Sequence, residues 1–183
     1  MTSGSQLWVW DTSDYGYEEC PNAPARHGSR INHFPDILTA KISGGLIADV
    51  LLDLDQFAVS QEIAGKLDLY KYRGLVARPV IFSGKRTPEN YTCISTTSYA
   101  EIDAKASHAK LRWRCPYCGF ADLRRRARTA LIVDEFSKNA DMDIFHLNGG
   151  FAAPVISHRL AYDLIGLKPS GLIITPVEKF WLM

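Results

Sequence analysis

The chain has 183 residues, of which 46% are hydrophobic and 22% charged, and its net charge is +1. That length and balance fit one soluble globular domain, able to bury about 70% of its unfolded surface, so a metal would assist folding rather than replace a core. The near-neutral charge excludes a global field that would draw the chain to nucleic acid or membrane, and no apolar run approaches the roughly 18 residues of a spanning helix.

Met1 to Gln6 shows no basic region followed by an apolar run, so it does not read as a signal peptide, and the expected location is the cytoplasm. In that compartment four cysteines are thiols or ligands rather than a disulfide framework.

Gln6-Leu7-Trp8-Val9-Trp10 alternates and predicts an opening strand. Residues 11–28 are polar, with prolines and glycines around Cys20, and predict a loop. Residues 46–54 are apolar and predict structure just ahead of a helix that Ser60 can N-cap. Ile63 and Leu67 share one face of that helix, Gly74 turns the chain, and residues 75–80 read as a strand ending near Pro79. Residues 83–90 are a turn-rich connection, and residues 91–103 read as a strand followed by a loop. Residues 104–113 lead into a cysteine pair, 130–133 are a short apolar segment, and 141–150 read as a loop.

The chain then repeats itself. Without a gap, Ser60, Ala64, Leu67, Lys71, Gly74, Leu75, Pro79 and Val80 recur as Ser157, Ala161, Leu164, Lys168, Gly171, Leu172, Pro176 and Val177. Serine, glycine and proline recur along with the apolar positions, which favours duplication over chance likeness of two amphipathic helices. The expected fold class is therefore α+β. Two similar helix–loop–strand units, at about 59–80 and 156–177, pack with short sheets, and a zinc-knuckle-like turn lies between them. The expected organisation is one domain, 1–183, with an N-terminal half (1–90) and a C-terminal half (91–183).

Cys115-Pro116-Tyr117-Cys118-Gly119 carries the clearest chemistry. Two residues between cysteines let both thiolates reach one tetrahedral ion from a single turn, and glycine suits the position after the second. Zinc wants four ligands, so two are missing. Cys20 opens a proline-bearing loop that ends His27-Gly28, and a Cys3His set of Cys20, His27, Cys115 and Cys118 is ordinary for zinc. The alternative leaves Cys20 and His27 as plain loop residues. Cys93 lies in strand-like sequence and reads as a small core residue, while His158 reads as an exposed first-turn residue. A redox dithiol is the other use of such a pair, but no thioredoxin-like pattern surrounds this one.

Arg112, Arg114, Arg124, Arg125, Arg126 and Arg128 bracket the knuckle, with Trp113, Tyr117 and Phe120 among them. Basic and aromatic residues on a zinc knuckle can hold nucleic acid, so a zinc-ribbon-like nucleic-acid-binding module is the alternative function. A solvated basic face is the plainer account of the same residues. There is no nucleophile motif, no phosphate-binding glycine loop and no His-Glu-x-x-His, so neither an enzyme nor a small-molecule substrate is expected.

The order of the knuckle, then Asp143-Ile144-Phe145-His146, then Val155-Ile156-Ser157-His158-Arg159-Leu160, then Ser170-Gly171-Leu172, resembles the double-CxxCG-motif proteins of bacteria. These are similar to immunity proteins of contact-delivered polymorphic toxin systems. The resemblance implies a cytoplasmic protein that binds a cognate protein toxin and occludes its active surface without turnover. It also implies a structural zinc that ties the N-terminal loop to the middle of the chain, and it does not call for a membrane or nucleic-acid partner. Where the family has its first knuckle this chain holds Cys20 and His27, so Cys115 and Cys118 carry over by motif, Cys20 by position, and His27 by inference.

Overall fold

The computed structural model describes residues 8–11, 13–23, 27, 29–42, 48–52, 56–83, 90–125, 132–149 and 154–179. In chain order the elements are β1 (Trp8–Asp11), β2 (Gly16–Tyr17), β3 (Ile31–His33), β4 (Leu38–Ile42), β5 (Val50–Leu52), β6 (Phe57–Ser60) and α1 (Gln61–Lys66). Then come β7 (Val76–Ser83), β8 (Tyr91–Ser95), β9 (Tyr99–Glu101), β10 (Ala109–Arg114), β11 (Ala121–Arg125), β12 (Ile144–Asn148), β13 (Val155–Ile156) and α2 (His158–Gly166).

Strands dominate this list, and it corrects the expected α+β class: the architecture is mostly β, not two helix–loop–strand units. The first copy does run from helix to strand. In the second copy residues 172–176 form no strand, and Ile173 is 74% exposed. A strand is stable only against a partner. β7 finds β8 along its first half and β4 along its second, whereas no described strand pairs with 172–176. Pro79 is tolerated inside β7 because β4 pairing begins only at Val80, so the proline has a single neighbouring strand. Two expected loops also hold strands: β2 lies within 11–28, and β12 lies within 141–150.

The main sheet has the order β1-β4-β7-β8-β6-β5, antiparallel except for the parallel β4–β7 pair. β6 and β8 lie inside it and are buried on both faces. Ala58, Tyr91 and Cys93 point to a cluster with Tyr15, Phe34 and Leu38, while Phe57, Val59 and Ile94 point to a cluster with Ile63, Leu160 and Leu164 from the two helices. Each large aliphatic side chain so buried contributes about 1.5–3 kcal/mol. A second sheet, β13-β12-β9, has a parallel β12–β9 pair, and Phe145, Leu147, Ala100 and Ile102 form a third apolar cluster around it. β2–β3 and β10–β11 are separate antiparallel hairpins.

The repeat is present in three dimensions, but its unit is a hairpin followed by a helix and a glycine turn. β5–β6–α1 corresponds to β12–β13–α2, and each helix is capped by its serine: Ser60 Oγ accepts from the Ile63 amide and Ser157 Oγ from the Leu160 amide. The two units exchange their turns. Asp49 accepts from the Ser60 hydroxyl of its own unit (3.4 Å) and from the Ser170 amide of the other (2.9 Å). Asp143 accepts from the Ser157 hydroxyl of its own unit (2.6 Å) and from the Arg73 amide of the other (2.8 Å). Gly74 packs against the Ile144 carbonyl and Gly171 against the Val50 carbonyl, both at positive φ. The two halves are thus clasped reciprocally, each turn seated at the start of the other's hairpin.

Candidate metal centre

The β10–β11 hairpin presents the knuckle. The Cys115 amide donates to the Phe120 carbonyl (2.8 Å) and the Gly119 amide to the Cys115 carbonyl (2.9 Å), which closes the turn. Gly119 has φ +71 with nothing within 4 Å of where a Cβ would sit, so glycine serves conformation there, not space. Tight turning aims the backbone N–H groups of Tyr117 and Cys118 at the Cys115 sulfur and that of Phe120 at the Cys118 sulfur.

The opposing ligands come from the loop between β2 and β3. The Glu18 amide donates to the Arg30 carbonyl (2.8 Å), closing the mouth of that loop, and Cys20 and His27 lie inside it. The His27 ring stacks on Phe120 with centroids 4.7 Å apart, which turns its Nε2 toward the sulfurs. Cys20 Sγ lies 3.3 Å from His27 Nε2 and 3.6 Å from Cys115 Sγ, and Cys118 Sγ lies 3.5 Å from His27 Nε2. All four ligand atoms fall within 4.8 Å of one another. With ordinary Zn–S and Zn–N lengths, a tetrahedron has edges of about 3.8 Å (S–S) and about 3.5 Å (S–N). The observed separations match those edges and are far from the roughly 2.05 Å of a disulfide. The donor set therefore fits a tetrahedral zinc-like ion, and these residues form a possible metal site.

Electrostatics prepare the site for a cation. Burial opposes a charge on Cys115, but the Cys118 amide, the Asn22 side-chain amide (3.3 Å), the Tyr117 amide and His27 outweigh it and bring that thiol down to about 5. Burial and the neighbouring Cys115 and Cys20 sulfurs push Cys118 up to about 11, against the Phe120 amide. A bound cation would relieve that repulsion and ionise the remaining thiols.

Around the ligands lies a frame that sequence reading missed. Arg30 donates to the Cys118 carbonyl (2.8 Å) and to Asn148 Oδ1 (2.7 Å). Asn148 Nδ2 donates to the Gly119 carbonyl (2.9 Å) and to Glu101 (2.6 Å), and its Oδ1 accepts from the Ala121 amide (3.2 Å). Arg114 donates to the Gly119 carbonyl (3.0 Å) and forks onto Glu101 (3.1 and 3.2 Å). Asn148 stands at the end of β12, all five of whose residues are buried. Its signal in the sequence is the short run Ile144-Phe145-His146-Leu147, bounded by Asp143 and Gly149, which is a strand pattern.

The remaining candidates separate. Cys93 is fully buried in β8 and donates to Gln56 (3.3 Å), away from the knuckle, and His158 is exposed at the start of α2. Of the arginines, Arg114 is bound to Glu101 and Arg112 lies 3.8 Å from Asp122, while Arg124 is exposed on β11. Arg125 ends β11, and Arg126 and Arg128 lie outside the described residues. Among the described residues no helix is long and apolar enough to cross a membrane. No protein-family model matches the chain and no curated protein matches it, so what the centre does must be argued from its own residues.

Proposed function

We propose that this chain is a non-catalytic immunity protein of the cytoplasm that carries one structural zinc ion and neutralises a protein toxin by binding it. The observation that carries the reading is the Cys20–His27–Cys115–Cys118 cluster, whose two halves lie 95 residues apart in sequence. Four protein ligands complete a tetrahedron and leave no open position for substrate, which is the pattern of structural rather than catalytic zinc. The chemistry the ion supplies is a cross-link. It fastens the loop closed by Glu18 and Arg30 to the knuckle hairpin, with an apparent binding free energy on the order of 10–16 kcal/mol.

The toxin part of the reading is supported by the order of the motifs along the chain, with Cys20 and His27 standing where a first knuckle is expected. The nucleic-acid alternative gains no support from Arg112 and Arg114, which face carboxylates of this same chain.

Two experiments test the two parts. Metal analysis of the purified protein is expected to give one zinc per chain, and His27→Ala is expected to lose most of it on dialysis. A stable protein without zinc removes the structural-metal part. Co-expression with the product of the adjacent reading frame is expected to rescue growth and yield a stoichiometric complex. Equal killing with and without this chain removes the neutralisation part.

A further inference from the structure

The four side chains of the candidate centre differ in exposure. Cys20 and Cys118 are half-buried, whereas Cys115 is only 2% exposed and His27 only 7%. A small oxidant can therefore reach Cys20 without reaching Cys115. The Cys115 sulfur nevertheless lies 3.6 Å from the Cys20 sulfur. A reachable thiolate beside a sheltered one is the arrangement in which oxidation of the first is answered by attack of the second. Closing the gap to the roughly 2.05 Å of a disulfide takes a movement of about 1.5 Å. Cys20 stands in irregular chain between β2 and β3, outside any strand pairing, and can supply that movement.

Two features select Cys20 over Cys118 as the partner of Cys115. The first is hydrogen bonding to sulfur. The Tyr117 and Cys118 amides point at the Cys115 sulfur, and the Phe120 amide points at the Cys118 sulfur. A thiolate accepts such bonds more strongly than a neutral disulfide sulfur does. A Cys115–Cys118 bridge would weaken both sets of bonds, and a Cys20–Cys115 bridge only one. The second is the frame around the turn. Arg30 holds the Cys118 carbonyl and Asn148 the Gly119 carbonyl, which fixes the Cys118 side of the knuckle. A bridge inside that one turn would also tie nothing together. A bridge from Cys20 to Cys115 closes a long loop and joins the same two segments that the metal joins.

We infer that Cys20 is a peroxide-sensitive modification site and that Cys115 resolves it into a disulfide, expelling the metal while the loop stays tied to the hairpin. The expulsion of zinc rests on the structural-metal reading, whereas the bridge does not. The Cys20 thiolate attacks one oxygen of hydrogen peroxide, the O–O bond breaks, and hydroxide leaves with a sulfenic acid formed on Cys20. The Cys115 thiolate then attacks the Cys20 sulfur, the S–O bond breaks, and a second hydroxide leaves. Each sulfur loses one electron to the peroxide. Cys118 and His27 remain, too few ligands to keep zinc.

The test treats the zinc-loaded full chain with excess hydrogen peroxide. Zinc release is read with a chromogenic chelator, and the thiols by alkylation in denaturant and non-reducing peptide mapping. One zinc per chain is expected to leave. The Cys20 peptide is expected to be joined to the Cys115 peptide, with Cys93 and Cys118 alkylated, and dithiothreitol with added zinc is expected to reverse the change. Cys118→Ser is expected to keep the bridge and Cys20→Ser to lose it. The oxidised metal-free chain is expected to melt above the reduced metal-free chain. A Cys115–Cys118 bridge, a bridge between two chains, sulfinic acid on Cys20 without a bridge, or four intact thiols overturns the assignment. Mapping reads the bridge with or without zinc, so a chain that purifies without zinc removes the structural-metal reading and leaves the bridge to be decided by the mapping.

Discussion

Gly171 and Gly119 have nearly the same backbone conformation, φ +80 and +71, but very different surroundings. A Cβ on Gly119 meets nothing, whereas a Cβ on Gly171 runs into the Val50 carbonyl and comes within 2.7 Å of the Ala48 Cβ. Alanine at either position pays the left-handed penalty of about 1–2 kcal/mol. At Gly171 the carbonyl is backbone of β5 and cannot rotate away, so the clasp must open or the strand must shift, which adds about 1–3 kcal/mol. Gly171→Ala is therefore expected to cost about 2–5 kcal/mol and Gly119→Ala about 1–2. For a chain of this size each kcal/mol is about 2–4 °C in Tm. The reciprocal arrangement makes a further demand: Gly74→Ala should match Gly171→Ala, because its Cβ would lie 2.7 Å from the Ile144 carbonyl. The assay is thermal and urea unfolding at a fixed excess of zinc. If Gly171→Ala costs no more than Gly119→Ala, the exchanged clasp is not holding the halves together.

Other outcomes follow from the same contacts. Burial would raise the Asp143 carboxyl, but hydrogen bonds from Arg159, Ser157 and the Arg73 amide overcome it and hold it below the usual carboxylate range. A depressed folded-state value contributes stability above about pH 4 that is lost as pH falls through that lower value. Asp143→Asn is thus expected to cost about 2 kcal/mol at pH 7 and progressively less below pH 4, measured in EDTA so that zinc release does not intrude. Asn148→Ala removes the bridge between the knuckle carbonyls, Arg30 and Glu101, and is expected to weaken zinc binding about 10–100-fold in a competition assay with a chromogenic chelator. EDTA treatment is expected to speed amide exchange across β10–β11 while leaving Val59 and Ile94 protected, since those two sit in a core remote from the ligands. Uniform loss of protection would mean that the metal supports the whole fold.

What was legible in the sequence divides by the range of the interaction that decides it. Serine caps, the glycine turns and the knuckle are local, so Ser60, Ser157, Gly74, Gly171 and Cys115 to Gly119 stand as their residue types require. Strand existence is not local. Residues 172–177 repeat the pattern of 75–80, but β7 has β8 and β4 to pair with and the copy pairs with no described strand. β12 shows the opposite error: Asp141, Asp143 and the Asn148-Gly149-Gly150 run make 141–150 read as one loop and mask the short strand pattern of Ile144 to Leu147, which β9 and β13 flank on either side. The Cys20–His27 half of the centre was visible only as residue types, because the distance from Cys20 to the knuckle is set by the Glu18–Arg30 closure and the Phe120 stack, neither of which has a sequence signature.

The reciprocal clasps and the proposed metal centre hold different parts of this chain. The reciprocal Asp49 and Asp143 clasps join the two hairpin–helix units through a continuous apolar cluster that includes Val50, Ile144, Leu160 and Leu164. That part has a core of its own and no need of a metal. The β10–β11 hairpin is different. It is a two-stranded unit with Leu111, Arg112 and Tyr117 in solvent, and such a hairpin is at best marginally stable alone. It is attached to the rest of the chain by Leu123, packed on the Ala100 and Phe145 cluster, by the Arg114–Glu101 pair, by the Cys20–His27 loop, and by Arg30 and Asn148, of which Glu101, Arg30 and Asn148 also wall a polar cleft. Loss of a bound metal should therefore act on the cleft before it acts on the fold.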